Sequence, residues 1–164
     1  MARRRYQLFN GAAAALTAAM PAVTTGTSLK TMLQIKPTTN VAVIAWGYSF
    51  DAVPVSPVTV ELITTGTVAA TVTAFAAGDV VKFDDAGTAA SAISLGVNAS
   101  GYTATAEGSI VSSRLLACRR EMAQSYECQF PLDREPGVIA NDILRVRATT
   151  ATALGMTCWV TIEE

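Results

Sequence analysis

The sequence predicts an all-β protein that folds as a single domain, and three of its features carry this prediction. Apolar residues recur at every second position over much of the chain, which is the spacing of a half-buried strand. Short clusters of Gly, Pro, Asn, Asp, Ser and Thr separate these segments, as turns require. The 164 residues are 51% hydrophobic, which is enough for one sizeable core. The pattern is typical of a sandwich or barrel with hairpin connections.

The alternation is clearest in seven segments. The predicted strands cover residues 29–36, 41–51, 57–64, 68–75, 126–133, 143–150 and 156–162. In the second segment we expect one face to carry Ile44, Trp46, Tyr48 and Phe50. In the last segment we expect one face to carry Met156, Cys158, Val160 and Ile162, and the opposite face to carry Thr157, Trp159 and Thr161.

Two other segments depart from this pattern. Residues 86–100 are rich in Ala, Ser, Gly and Asn and are predicted to form a long surface loop. Further along, the apolar residues fall at helical spacing, at Val111, Leu115, Cys118 and Met122. The pattern by itself slightly favours a helix over residues 111–123. The alternative is a strand, whose apolar face Arg120 would interrupt.

The first 26 residues are predicted to form an extended N-terminal arm ahead of a sandwich in residues 27–164. The arm combines the run Arg3 to Arg5 with an Ala-rich stretch, a composition that mimics a secretory signal. Gln7, Asn10 and Gly11 interrupt the apolar run, so we expect an uncleaved arm, with a cleaved signal as the alternative. No segment is apolar over the 18 residues that a membrane-spanning helix needs, and we expect no membrane partner.

The candidate partner-binding site is the basic run at the start of this arm, which comprises Arg3, Arg4, Arg5 and Tyr6. One interpretation is a solvated basic tail. The other is an arm that reaches across a neighbouring protein. The net charge of −1 gives no general attraction to nucleic acid, and three charges alone give only weak, salt-sensitive affinity. We therefore expect no nucleic-acid partner.

The composition also removes most catalytic chemistry. The chain has no histidine, which excludes a Ser-His-Asp triad and the commonest metal ligand. The three cysteines, Cys118, Cys128 and Cys158, have no CxxC spacing and are expected to be small buried thiols, with one disulfide as the alternative. The sequence therefore predicts no catalytic residue, no metal site and no cofactor.

Three weaker side-chain sets have a structural and a functional interpretation. Asp79, Asp84 and Asp85 could bind calcium, but they lack the spacing of a twelve-residue calcium loop and are expected to form a solvated turn. Arg145 and Arg147 share one strand face, and we expect them to pair with Asp or Glu rather than to contact an acidic partner. Scattered aromatics such as Tyr102, Tyr126 and Trp159 belong more often to a core than to a sugar-binding platform.

Several stretches of the chain resemble small structural proteins of tailed bacteriophages, particularly those that infect actinobacteria. They are residues 27–35 (TSLKTMLQI), 45–51 (AWGYSFD), 57–62 (PVTVEL), 100–102 (SGY), 107–108 (EG), 131–136 (PLDREP) and 144–147 (LRVR). The resemblance implies a jelly-roll capsid decoration (cement) protein, a homotrimer at threefold or quasi-threefold positions, and the major capsid protein as partner. It also implies a strand over residues 114–123, and it implies no catalytic residue.

The charge content agrees with such a role. Charged residues make up 15% of the chain, against about 25% in an ordinary soluble domain, so extra surface is expected to be buried against neighbours. We therefore expect a non-enzymatic virion protein on the outer capsid surface. The alternatives are another virion component, such as a tail or head-fibre base protein, and a secreted carbohydrate-binding β-sandwich module.

Overall fold

The computed structural model describes residues 4–83, 91–109 and 112–164, and within them the regular structure is almost entirely β. The strands are β1 (Arg5–Phe9), β2 (Val23–Thr24), β3 (Lys30–Ile35), β4 (Val41–Phe50), β5 (Val58–Thr64), β6 (Thr71–Ala74), β7 (Val81–Lys82), β8 (Gly101–Ala106), β9 (Arg114–Glu121), β10 (Ser125–Gln129), β11 (Gly137–Val138), β12 (Leu144–Thr149) and β13 (Gly155–Glu163). A single turn of 3-10 helix covers Ala77–Asp79. The all-β prediction is confirmed.

The strands form two antiparallel sheets that pack face to face. Sheet A has the order β10-β4-β13-β1-β7, with β11 beside β4 and β2 beside β13. Sheet B has the order β6-β8-β3-β12-β5-β9. The four-strand paths β1-β13-β4-β10 and β3-β12-β5-β9 have the strand order of the two sheets of a jelly roll, and successive strands change sheet except at β5 and β9, which pair within sheet B. The sandwich prediction and its jelly-roll type are therefore confirmed.

The core lies between the sheets and follows the predicted alternation. Met156, Cys158, Val160 and Ile162 are all fully buried, as the pattern of β13 predicted. In β4 the inner face carries Trp46, Tyr48 and Phe50, but Ile44 is only partly buried and the prediction for it is wrong. The pairing of β4 with β13 shifts register between Thr161 and Ile162, which turns Val43 into the core in place of Ile44.

The start of the chain is part of the sandwich. β1 lies between β13 and β7, and its Tyr6 and Leu8 side chains are fully buried in the core. The segment predicted as an extended N-terminal arm over residues 1–26 therefore supplies a strand of sheet A. Tyr6 and Leu8 belong to the same buried cluster as residues of both sheets.

Two polar side chains fasten the residues that follow β1. The side chain of Asn10, which is buried, donates to the carbonyl of Met156 at 2.8 Å and accepts from the amide of Cys158 at 2.8 Å. The Asp79 carboxylate accepts from the amides of Ala13, Ala14 and Ala76 at 2.8–3.0 Å. Asp79 is only 4% exposed, so the expectation of a solvated turn is wrong for it. Asp84 and Asp85 lie outside the described residues.

The ambiguous segment forms a strand. β9 lies at the edge of sheet B and pairs with β5. The helical interpretation is wrong for residues 114–121, and Val111 lies outside the described residues. The apolar spacing is misleading because β9 is largely exposed, so burial imposes little alternation on it. Leu115 and Met122, two members of the helical stripe, are 57% and 48% exposed.

The loop predicted over residues 86–100 is followed directly by β8, a strand that the sequence did not predict. Residues 86–90 are outside the described part, and residues 91–100 form two isolated bridges, Pro37 with Ile93 and Leu95 with Ser100. Ser100 is fully buried and its hydroxyl accepts from the amide of Lys36 at 2.7 Å. β8 begins immediately afterwards at Gly101, although Ala99, Ser100 and Gly101 have a composition typical of a turn.

The cysteines differ in exposure. Cys158 is buried, Cys128 is partly buried, Cys118 is exposed, and all three thiols are free. The expectation that all three are buried is therefore wrong for Cys118, which lies on the outward face of edge strand β9 opposite Glu61.

We expect Cys118 to react with an aromatic disulfide reagent in the native protein and Cys158 to react only after unfolding. Complete burial shields Cys158 and raises the pKa of its thiol, so the reactive thiolate is scarce. The measurement is the rate of the reaction and the number of protein thiols that react, with and without urea. In Cys118→Ser the fastest native phase should disappear, whereas Cys158→Ser should keep it. A fast phase that persists without Cys118 would contradict the assigned exposure.

Candidate functional site

The structure does not assemble the predicted partner-binding residues into one exposed patch. Arg3 lies outside the described residues, and Arg4 is exposed while its backbone pairs with Glu164. The Arg5 side chain is half exposed and donates to the Glu163 carboxylate at 2.9 Å. Tyr6 is fully buried in the core. Of the described members, the ones that reach the surface are Arg4 and Arg5, and their role in partner binding stays a prediction.

The two arginines of β12 are paired within the chain, as expected. The Nε atom of Arg147 donates to the Glu61 carboxylate at 2.6 Å. Arg145 is 1% exposed and donates to the carbonyls of Glu107 and Val68 at 3.1 and 2.6 Å, with the Glu107 carboxylate 3.7 Å away. Burial lowers the pKa of Arg145, while Glu107 acts in the opposite direction. These side chains hold the outer side of sheet B together.

Three of the exposed apolar side chains lie on two neighbouring crossings at one end of the sandwich. Residues 51–57 cross there from β4 to β5 and carry Val53 and Val55, which are 61% and 79% exposed. Residues 122–124 cross back from β9 to β10 beside them, because Gln124 is hydrogen-bonded to Phe50 and Glu121 pairs with Val58. Met122 on this second crossing is 48% exposed. We call Val53, Val55 and Met122 the apolar rim.

The rim continues into an edge where β9 and β10 lie next to each other on different sheets. Tyr48 donates to the Glu121 carboxylate at 2.9 Å, and the Arg119 guanidinium lies 4.2 Å from the ring centre of Tyr126. Arg119 and Glu121 therefore lie on the face of edge strand β9 that is turned toward sheet A, with 43% and 28% of their side chains exposed. Inward charges of this kind discourage uncontrolled strand addition, so this edge is protected while the rim stays exposed.

We expect stability to fall as the pH rises above about 10, the ordinary pKa of tyrosine. Burial, together with the hydrogen bond to Glu121, raises the pKa of Tyr48 well above that value. The unfolded chain then loses this proton at a lower pH than the folded chain, so alkali favours unfolding. Urea unfolding at successive pH values measures the effect. Tyr48→Phe should make the alkaline loss smaller, and an unchanged loss would contradict the assignment.

A groove lies on the outer face of sheet A, away from the rim. Its volume is about 280 Å³, and its walls include Gln7, Ile44, Glu127, Gln129, Trp159 and Thr161. Trp159 is partly exposed and pairs in register with Gly47 of β4. A Cβ atom at Gly47 would lie 2.7 Å from Cζ2 of the indole, so only glycine lets the ring lie across β4. We call this the sheet A groove.

The other predicted aromatics do not share this position. Tyr102 packs against Phe75 with ring centres 5.6 Å apart, and Tyr126 packs against Trp46 at 5.4 Å. Both therefore support the core, as the structural interpretation expected, and Trp159 is the one of the three that lines an outward groove. The sequence signal for it was the alternation of β13, while the opposing glycine depends on strand register.

A larger cavity of about 790 Å³ lies between the Ala-rich segment after β1 and strand β7. Ala13, Ala14, Ala77, Gly78 and Val80 are among its walls. Lys82 and Ser91 also line it, and the Ser91 hydroxyl donates to the Glu164 carboxylate. Within the described ranges, no three His, Cys, Asp or Glu side chains converge as metal ligands, and no helix is long and apolar enough to span a bilayer.

Comparisons with protein-family models, with curated proteins and with solved structures found no match for this chain. The functional interpretation therefore depends on the surface features of the chain itself.

Proposed function

We propose that this chain is a non-enzymatic virion structural protein that binds the outer surface of a bacteriophage head and stabilises it. The observation that carries the proposal is the apolar rim, where Val53, Val55 and Met122 are exposed on adjacent crossings at one end of a jelly roll. Complete burial of each of these side chains against a partner would contribute roughly 1.5–3 kcal/mol to the free energy of binding. The rim is therefore suited to a permanent protein contact.

Hydrogen bonds fix the two crossings that carry the apolar rim. The crossing at residues 51–57 is fixed at its start, where the Asp51 carboxylate accepts from the amide of Gly155 at 3.0 Å. The crossing at residues 122–124 is fixed by hydrogen bonds between Gln124 and Phe50. Binding through preordered loops avoids much of the entropy lost when a flexible segment binds, so a small rim can contribute measurable affinity.

The proposed partner is the major capsid protein, and the proposed assembly is a homotrimer. The low charge content of the chain supports contact with neighbours, since charged residues are depleted in the centres of protein interfaces. A ligand that binds the assembled state but not its separated parts stabilises that state by mass action, by about 2.7 kcal/mol at one hundred times its dissociation constant. Cementing a head would use this effect.

The experiment compares heads of the encoding phage with and without this chain. Heads that carry the protein should rupture at higher temperature and resist low salt better than heads that lack it. Purified protein added back should restore the difference and should sediment with the heads. Unchanged rupture, with the protein absent from purified heads, would overturn the proposal.

Variants of the rim make the test specific. The double variant Val53→Asp, Val55→Asp should reduce binding to heads by at least about tenfold, because two desolvated carboxylates oppose burial of the rim. The matched control is Val97→Asp, since Val97 is 55% exposed but lies in the loop before β8. Both proteins should keep the wild-type melting temperature to within a few degrees. Equal loss of binding in the two proteins would contradict a role for the rim.

A further inference from the structure

The sheet A groove combines one flat aromatic surface with polar side chains that have no partner among the residues that the structure describes. The indole of Trp159 lies across the β4 backbone at Gly47, which fixes its orientation. None of the hydrogen bonds or ion pairs among the described residues engages the side chains of Gln7, Glu127 or Gln129, all of which line the groove. A ligand would therefore not have to displace existing side-chain contacts to reach them.

The placement of these groups follows from strand register. Gln7 of β1 pairs with Thr161 of β13, which pairs with Ala45 of β4, which pairs with Gln129 of β10. One row across the sheet thus presents a carboxamide at each end and small side chains between them. The adjacent row carries Trp159, Gly47 and Glu127. The aromatic ring and the polar groups are consequently side by side on rigid strands.

We propose that the sheet A groove binds a neutral hexopyranose, either free or as part of a glycan. One face of a pyranose ring presents C–H groups that suit an indole, and its rim presents hydroxyls that both donate and accept. A carboxamide also donates and accepts, so Gln7 and Gln129 match such hydroxyls, and the Glu127 carboxylate accepts from them. The volume of about 280 Å³ lies near the lower end of the range of small-molecule sites, about 300 Å³.

Charge selects a neutral ligand over an anionic one. Arg5 reaches the groove, but its guanidinium is ion-paired with Glu163 at 2.9 Å. Glu127 is exposed at the opposite wall and would repel a uronic acid or a phosphorylated sugar. The inference does not depend on capsid binding, because the groove and the apolar rim involve different residues.

The test uses the full chain and three defined probes: cellotriose, maltotriose and β-1,4-galactotriose. At least one of them should cause a saturable change in tryptophan fluorescence. The dissociation constant should be about 1 mM, which corresponds to weak binding. The chain has two tryptophans, and Trp46 is fully buried in the core, so the change should come from Trp159. Trp46→Phe should keep the response.

Variants separate binding from folding. Trp159→Ala should weaken binding at least about tenfold when measured by calorimetry, and Trp159→Phe, which keeps an aromatic face, should retain most of it. Gln129→Ala should weaken binding at least about threefold, whereas Gln124→Ala, an exposed glutamine outside the groove, should not. Melting temperatures should show that each variant is folded.

Two results would overturn the inference. One is the absence of a saturable response to all three probes at about ten times the expected dissociation constant. The other is evidence that a second copy of the chain covers sheet A. In that case sedimentation would show a wild-type dimer that binds no probe and that dissociates in Trp159→Ala. Failure of either kind leaves the capsid proposal standing, since that proposal is tested on heads through the rim.

Discussion

Replacing Glu107 with alanine is expected to lower the free energy of unfolding by about 3 kcal/mol, as removal of one partner from a buried ion pair does. Arg145 is 1% exposed, and the carboxylate nearest its guanidinium belongs to Glu107. The same carboxylate also accepts from the amide and the hydroxyl of Thr31, each at 2.6 Å. The substitution would leave a buried cation without its anion and would free two donors in β3.

Urea denaturation measures this effect, and a second substitution isolates its cause. In the double variant Glu107→Ala, Arg145→Met the buried charge is gone, so the total loss should be smaller than the sum of the two single losses. Arg145→Lys should also be destabilising, because a lysine cannot reach both carbonyls as the planar guanidinium does. A loss below about 1 kcal/mol for Glu107→Ala would contradict the assigned role.

Replacing Leu8 with alanine is the other substitution with a large expected effect, again about 3 kcal/mol. Leu8 is fully buried between the sheets, so truncation leaves a cavity as well as lost contacts. Tyr6→Ala should cost a similar amount for the same reason. These losses test whether the start of the chain is a strand of the sandwich or an arm that lies outside it.

The matched control for β1 is Arg4→Ala. Arg4 is exposed and its contacts to Glu164 are made by the backbone, so the substitution should change stability by less than about 0.5 kcal/mol. Urea midpoints of the three variants, measured together, provide the comparison. If Leu8→Ala and Arg4→Ala unfold at the same midpoint, β1 does not hold the sandwich together.

The fold class could be predicted from the sequence because burial imposes a period of two on central strands. β13 illustrates this, since every second residue from Met156 to Ile162 enters the core. β1 has the same alternation over Tyr6 and Leu8, but the adjacent arginines and the Ala-rich stretch resembled an arm or a signal. The sequence of β1 does not show which strand it pairs with, because that strand, β13, lies at the other end of the chain.

The alternation of apolar residues fails to predict the buried face at edge strands and at bulges. β9 pairs with β5 and is largely exposed, so its apolar residues have no reason to alternate. In β4 a register shift places Val43 in the core where the pattern predicted Ile44. Such shifts depend on the neighbouring strand and leave no mark in the strand's own sequence.

The surface features depended on contacts that are distant in sequence. The apolar rim requires residues 51–57 and 122–124 to cross side by side, which only the two-sheet arrangement brings about. The sheet A groove requires Trp159 to lie opposite Gly47, and that pairing is a matter of register. Asp79 looked like a turn residue because the backbone amides that it binds come from residues 13 and 14.

The most direct measurement of the proposed function is the position of this chain in a cryo-electron microscopy map of the assembled phage particle. We expect jelly-roll density on the outer surface of the head, in groups of three, with the loop at residues 51–57 turned toward the capsid protein. Density confined to the tail or to the base of a head fibre, or a particle without this chain, would contradict it.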